Sequence, residues 1–81
     1  MIHELKITPE YFDAILSGDK TFEVRRDDRP YAVNDGLCLR EYKGHGYTGR
    51  ELACKVSYVM RDCNYCKEGF CILGIVPAVP Y

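Results

Sequence analysis

Apolar and polar positions recur along most of the chain at spacings that predict six elements. From Ile2 to Ile7 the period is two. His3, Leu5 and Ile7 share one face and Ile2, Glu4 and Lys6 the other, as a short strand requires. Thr8-Pro9-Glu10 reads as a helix start, with a capping hydroxyl, a proline at the first helical position and an acid at the positive end of the dipole. Phe12, Ile15 and Leu16 follow at helical spacing with Tyr11 beside them, and Gly18 is a left-handed stop. A helix is therefore predicted over Pro9 to Ser17.

Lys20 to Arg26 alternates again, with Phe22 and Val24 on one face and Thr21, Glu23 and Arg25 on the other. This predicts a half-buried strand whose charged side faces outward or into a cleft. Asp27-Asp28-Arg29-Pro30 breaks it, and Asn34-Asp35-Gly36 is a turn signal. Leu37 to Tyr42 predicts a strand in which Leu37, Leu39 and Glu41 oppose Cys38, Arg40 and Tyr42. Lys43 to Gly49, with three glycines, reads as a hairpin loop. Arg50 to Met60 predicts a long strand with Leu52, Cys54, Val56, Tyr58 and Met60 on one side. After a polar, cysteine-bearing loop from Arg61 to Gly69, the apolar run Phe70 to Val76 predicts a central strand buried on both faces. Pro77 and Pro80 are expected to stop pairing and leave residues 77–81 as an extended tail. Strand, helix, then four strands predicts a β-rich α+β domain whose strands curl into a small barrel plugged by the helix. The length, 81 residues, predicts one domain over 1–81.

Composition narrows the function. An apolar fraction of 47% with 28% charged residues is that of an ordinary folded domain. The net charge of −1 argues against a protein held to nucleic acid mainly by phosphate contacts, so any such role needs a local basic site or a pocket. Seven tyrosines offer rings for stacking. Met1-Ile2-His3-Glu4 does not read as a leader, and no apolar run approaches the roughly 18–20 residues that span a bilayer. The expected location is the cytoplasm, without membrane association. Five cysteines, an odd number, fit reduced thiols better than a complete disulfide framework.

The segment Gly18-Asp19-Lys20-Thr21-Phe22-Glu23-Val24-Arg25 resembles the GxKxxExR motif of ASCH domains, a branch of the PUA-like superfamily. His3-Glu4-Leu5-Lys6-Ile7, the helix, Leu39-Arg40-Glu41-Tyr42 and Tyr47-Thr48-Gly49-Arg50-Glu51 are similar to the small bacterial and phage DUF3850 family. The resemblance implies a PUA-like barrel of about five to six mostly antiparallel strands whose cleft binds RNA or a modified nucleoside. Some ASCH proteins similar in this motif hydrolyse the N4-acetyl group of acetylated cytidine, using a lysine, a threonine three residues later and a distant glutamate. Lys20 matches that lysine, Glu23 occupies the threonine position, and the distant glutamate has no match here.

Lys20, Glu23 and Arg25 can reach a common point across the helix-to-strand junction. The arginine supplies a planar donor fork for phosphate or carbonyl oxygens, and the carboxylate can accept from a base amine. Their plainer reading is an exposed charge ladder. Arg40 and Glu41 point to opposite faces, so one of them joins the cleft, and Arg40 shares its side with Tyr42 in an arrangement suited to stacking. His3, Lys6 and Thr21 complete the candidate ligand set, and Tyr31 and Tyr47 are loop rings that could stack on a base. Cys63-Asn64-Tyr65-Cys66 followed by Cys71 is an incomplete zinc pattern, and Cys38, Cys54 and Cys71 read as small core residues. The reading is an RNA- or nucleotide-binding module, monomeric by default and without cofactor or metal. One alternative is an amidohydrolase of acylated nucleosides, with Lys20 as nucleophile or base and Glu23 as proton carrier. Another is a phage or host interaction factor that uses the loops Lys43 to Gly49 and Arg61 to Gly69 as contact surfaces.

Overall fold

Element boundaries fall where the apolar period changes. The computed structural model describes residues 1–78 and orders them as β1 (Ile2–Ile7), α1 (Pro9–Leu16), β2 (Phe22–Arg26), β3 (Gly36–Lys43), β4 (Gly46–Met60) and β5 (Phe70–Pro77). The five strands form one mixed sheet in the order β1-β3-β4-β5-β2, parallel between β1 and β3 and antiparallel elsewhere. The sheet curls into a half-barrel, the short helix completes the α+β fold, and the two free sheet edges belong to β1 and β2.

The inner face carries the core. Leu5 and Ile7 of β1, Leu37 and Leu39 of β3, Cys54 and Val56 of β4, and Cys71, Leu73 and Ile75 of β5 close on Phe12 and Ile15 of α1. Each fully buried leucine contributes about 2 kcal/mol of transfer free energy. The predicted period-two faces of β1 and β3 appear as drawn, including buried His3 and Glu41.

Several expectations need correction. Thr8 sits at the N-cap in extended conformation but makes no side-chain cap bond, and Leu16 is exposed. The predicted loop from Lys43 to Gly49 is a tight turn at Gly44 and His45, with Gly44 at φ 64, so β4 already begins at Gly46. Tyr58 does not continue the inner face of β4. Val56 pairs with Ile75 and Tyr58 with Gly74, so Ser57 is an extra residue that reverses the alternation. Tyr58 is 63% exposed and Val59 packs on the core instead. β5 buries only its Cys71, Leu73 and Ile75 face, while the other face is partly open. Pro77 still pairs, opposite Cys54, and the Ala78 amide donates to the Ala53 carbonyl. The rest of the expected tail lies outside the described residues. Among the described residues no helix is long and apolar enough to cross a membrane.

Candidate functional site

The motif strand presents its polar side inward. Glu23 is 4% exposed, whereas Phe22 and Val24 are 45% and 52% exposed. Of the two orientations the alternation allowed, β2 takes the cleft-facing one, because it is an edge strand paired only with β5 and faces the open seam toward β1. At that seam lies a hollow of about 380 Å³ lined by Lys6, Ile7, Thr8, Tyr11, Lys20, Phe22, Glu23, Val24 and Arg25.

The turn after α1 places Lys20, whose amide donates to the Ala14 carbonyl. Its ammonium donates to Glu23 Oε1 at 2.5 Å and to the Phe22 carbonyl at 2.6 Å, with the Tyr11 and Phe22 rings 5.1 and 4.9 Å away. From the other side Arg25 Nη1 donates to Glu23 Oε2 at 3.4 Å and to the Lys6 carbonyl at 3.0 Å. The carboxylate is thus clamped between two cations, and the clamp joins β2 to β1.

The remaining candidates separate into three places. Lys6 lines the hollow, but its ammonium lies 4.5 Å over the Tyr42 ring on the outer sheet face. Arg40 belongs to that outer face: it donates to Glu4 at 2.8 Å, lies 3.2 Å from Glu51 without hydrogen-bond geometry at Nε, and stacks 3.8 Å over Tyr47. Tyr47, predicted in a loop, is a β4 residue set edge-on to Tyr42 at 5.2 Å. His3 is a core residue bonded to Asp35 at 2.8 Å and tilted against Tyr31 at 4.7 Å. Tyr31 is correspondingly buried, not a free loop ring. Thr21 lies outside the lining and contributes its carbonyl to the Ile75 amide. Lys20, Glu23 and Arg25 are therefore brought together and Lys6 joins them through its carbonyl while its ammonium goes to Tyr42, whereas Arg40, Tyr42, His3 and Thr21 lie elsewhere.

A family model described as Domain of unknown function (DUF3850) matches residues 2–75. The chain belongs to the DUF3850 family. It is also 40% identical over 58 residues to an uncharacterized 12.9 kDa protein in the GpA 3′ region of Escherichia phage P2. That match takes in 72% of the chain and 53% of the phage protein, so the chain spans about half the length of this curated relative.

This DUF3850 member carries two polar clusters that sequence reading missed. Glu41 accepts from Thr48 Oγ1 at 2.6 Å and from Arg50 Nη2 and Nε at 2.7 and 3.0 Å. Arg50 also donates to Asp13 at 2.8 Å and lies 4.4 Å over Phe12, so it ties α1 to the β3–β4 hairpin. The Arg50 bonds, and then the Thr48 bond, hold the Glu41 carboxyl down at about 2. Glu41, not Arg40, is the inward member of its pair, and it is used up by this clamp. The second cluster is Asp35, which accepts from His3, from the Ala32 amide and from the terminal amine of Met1. Its carboxyl is held below the usual range, chiefly by the His3 bond. The Asn34-Asp35-Gly36 signal marked the turn, with Asn34 at φ 77, but not this partnership.

All five cysteines are free. Burial pushes the Cys54 thiol up to about 11 and raises that of Cys71, as befits inert core residues. Cys63 is exposed, the Cys66 Sγ lies 3.6 Å from the Phe70 carbonyl, and Cys71 points into the core. Among the described residues no three His, Cys, Asp or Glu side chains are grouped to hold a metal, so the suggested Cys63, Cys66 and Cys71 set does not assemble.

Proposed function

We propose that this protein is a small cytoplasmic RNA- or nucleotide-binding domain of the ASCH/PUA-like type, with its ligand seated in the hollow between β1 and β2. The observation that carries the reading is the pairing of exposed aromatic rings with a buried charge clamp. Tyr11 and Phe22 flank Lys20 at the mouth, and two cations face one carboxylate inside. The rings suit a planar base, and base–aromatic stacking is worth about 1–3 kcal/mol. Among the described residues Lys20 uses two of its three donors and Arg25 uses only Nη1, which leaves donors for the carbonyls or phosphate of a guest. A volume of about 380 Å³ falls in the range of small-molecule sites. The five free thiols support a reducing compartment.

Titration of the 15N-labelled protein with nucleosides, nucleotides and short RNAs tests the reading. Shifts are expected at Tyr11, Lys20, Glu23 and Arg25, and a spectrum that stays still at millimolar ligand would defeat it.

The 2.5 Å contact between Lys20 and Glu23 favours one further reading, hydrolysis of an acylated nucleoside amine. Water would add to the acyl carbonyl with its proton passing to Lys20 as base and on through Glu23 to the leaving nitrogen, and the C–N bond would break to give a carboxylic acid and the free amine. Incubation with N4-acetylcytidine should then release acetate and cytidine. Release that persists in Lys20→Ala would rule this mechanism out.

A further inference from the structure

A second hollow, of about 330 Å³, adjoins the first and shares Val24 and Arg25 with it. Its polar lining is unusual for a chain of net charge −1: Arg25, Arg26 and Arg29 face a single carboxylate, Asp28. These guanidinium groups are largely unspent. Among the described residues Arg25 commits only Nη1, Arg29 gives Nη1 to the Glu4 carbonyl at 3.2 Å, and Arg26 lies 5.3 Å over the Phe70 ring. Among the described residues neither Arg26 nor Arg29 has a carboxylate within ion-pair distance, since Asp27 is taken by Arg61 at 2.9 Å and Asp28 stands apart.

Tyr31 closes the same hollow. Its ring is buried against His3, and its hydroxyl has no hydrogen-bond partner among the described residues. Burial raises its hydroxyl from the ordinary value while Arg29 and Arg25 pull it down, as two cations gathered about one phenol do. Unpaired guanidinium forks around a recess, beside a neutral O–H donor, form a donor set matched to a tetrahedral oxyanion.

We infer that this second hollow is a phosphate site, and that Arg25, its common wall with the first, lets one ligand place a base in one and a phosphate in the other. The two-hollow arrangement rests on the base-binding reading proposed above, but the phosphate site can be tested without it. A mononucleotide and the chain of an RNA both present such a phosphate, and the chemistry recognised is the same.

Inorganic pyrophosphate is the first probe, followed by cytidine, cytidine 5′-monophosphate and a cytidine dinucleotide, with the arginine Nε–Hε signals as readout. Pyrophosphate alone is expected to move the Arg26 and Arg29 signals. The monophosphate, the dinucleotide or both should bind about tenfold or more tightly than the nucleoside, and their order identifies the source. Arg26→Gln removes a fork that donates to no acceptor among the described residues, so it tests the site with little risk to the fold. It should weaken pyrophosphate about tenfold and leave cytidine shifts at Lys20 unchanged. Still signals with pyrophosphate, or equal affinity for nucleoside and both phosphate ligands, would overturn the assignment. A pyrophosphate response with no cytidine response would instead overturn the base-binding reading and leave the phosphate site standing.

Discussion

Glu23 has two cations within 3.4 Å and almost no contact with water. Removing it strands Lys20 and Arg25 over a recess, and unpaired charge is costly where water is scarce. Glu23→Ala should destabilise the protein by about 2 kcal/mol in urea unfolding, and Glu23→Gln, which keeps an acceptor, by less. Glu41 gives a pH signature. Its folded value of about 2 lies below the ordinary 4.5, so its ionised form stabilises the fold fully above about 4.5, and that contribution is lost as pH falls toward 2. Asp35, also lowered, acts with the same sign on the acid side. The melting temperature of the wild type should therefore drop between pH 4.5 and 2, and in Glu41→Gln that drop should be smaller. A parallel pair of curves would refute the role given to Glu41. Lys20, Glu23 and Arg25 were legible because they lie within one short motif. Glu41 with Arg50 and His3 with Asp35 were not, because the partners are 9 and 32 positions apart and only folding joins them.

Among the elements, the period-two strands and the amphipathic helix were readable because burial on one face leaves a local trace. The irregularities left little. The step at Ser57 moves Val59 inward and Tyr58 outward, and only Gly74 hinted at it, since glycine in a strand often marks a bulge or a close approach. A Cβ at Gly74 would stand 2.8 Å from Ser57 Oγ and 3.6 Å from the Tyr58 amide nitrogen. Val59→Ala is expected to cost about 1–2 kcal/mol and Tyr58→Ala less than about 0.5, an order opposite to simple alternation. Gly74→Ala should be destabilising in the wild-type background and milder with Ser57→Ala, which removes the oxygen in the way. The double-mutant cycle should show coupling of about 0.5–1 kcal/mol, and additive changes would mean that the contact does not matter. At Arg40 and Tyr42 the same device recurs: Thr48, Gly49 and Arg50 oppose Glu41 alone, and this irregular stretch aims Thr48 and Arg50 at its carboxylate. The inversion of β2 was half legible, because alternation gives two faces and only the curl of the sheet decides which one looks inward.

Across the whole molecule, the curl brings β1 and β2 together without pairing them, and the seam is spanned by side chains instead of a ladder. Arg25 of β2 donates to the Lys6 carbonyl and Arg29 of the loop that follows β2 to the Glu4 carbonyl, so two guanidinium groups satisfy backbone acceptors of the β1 edge. Such bonds are fewer than a ladder supplies, and they leave room for both hollows between them. Nothing in the strand pattern announces this, because a closing contact between sheet edges has no period. If the arginines hold the seam, Arg25→Ala/Arg29→Ala should free β1 from one side while β3 still binds it on the other. Amides of β1 should then exchange with solvent about tenfold faster or more, whereas the central β4–β5 amides keep their protection. Lysines at the same positions keep the charge but lose the planar fork, so they should restore little of it. Unchanged exchange in β1 would show that the curl of the sheet alone fixes the edge. Because Lys6 and Ile7 on β1 face Glu23 and Arg25 on β2 across the first hollow, loosening the seam separates its two walls. Arg29→Ala alone, which leaves Arg25 in the lining, should therefore lower affinity for a base in step with β1 protection, which ties base recognition to an unclosed barrel.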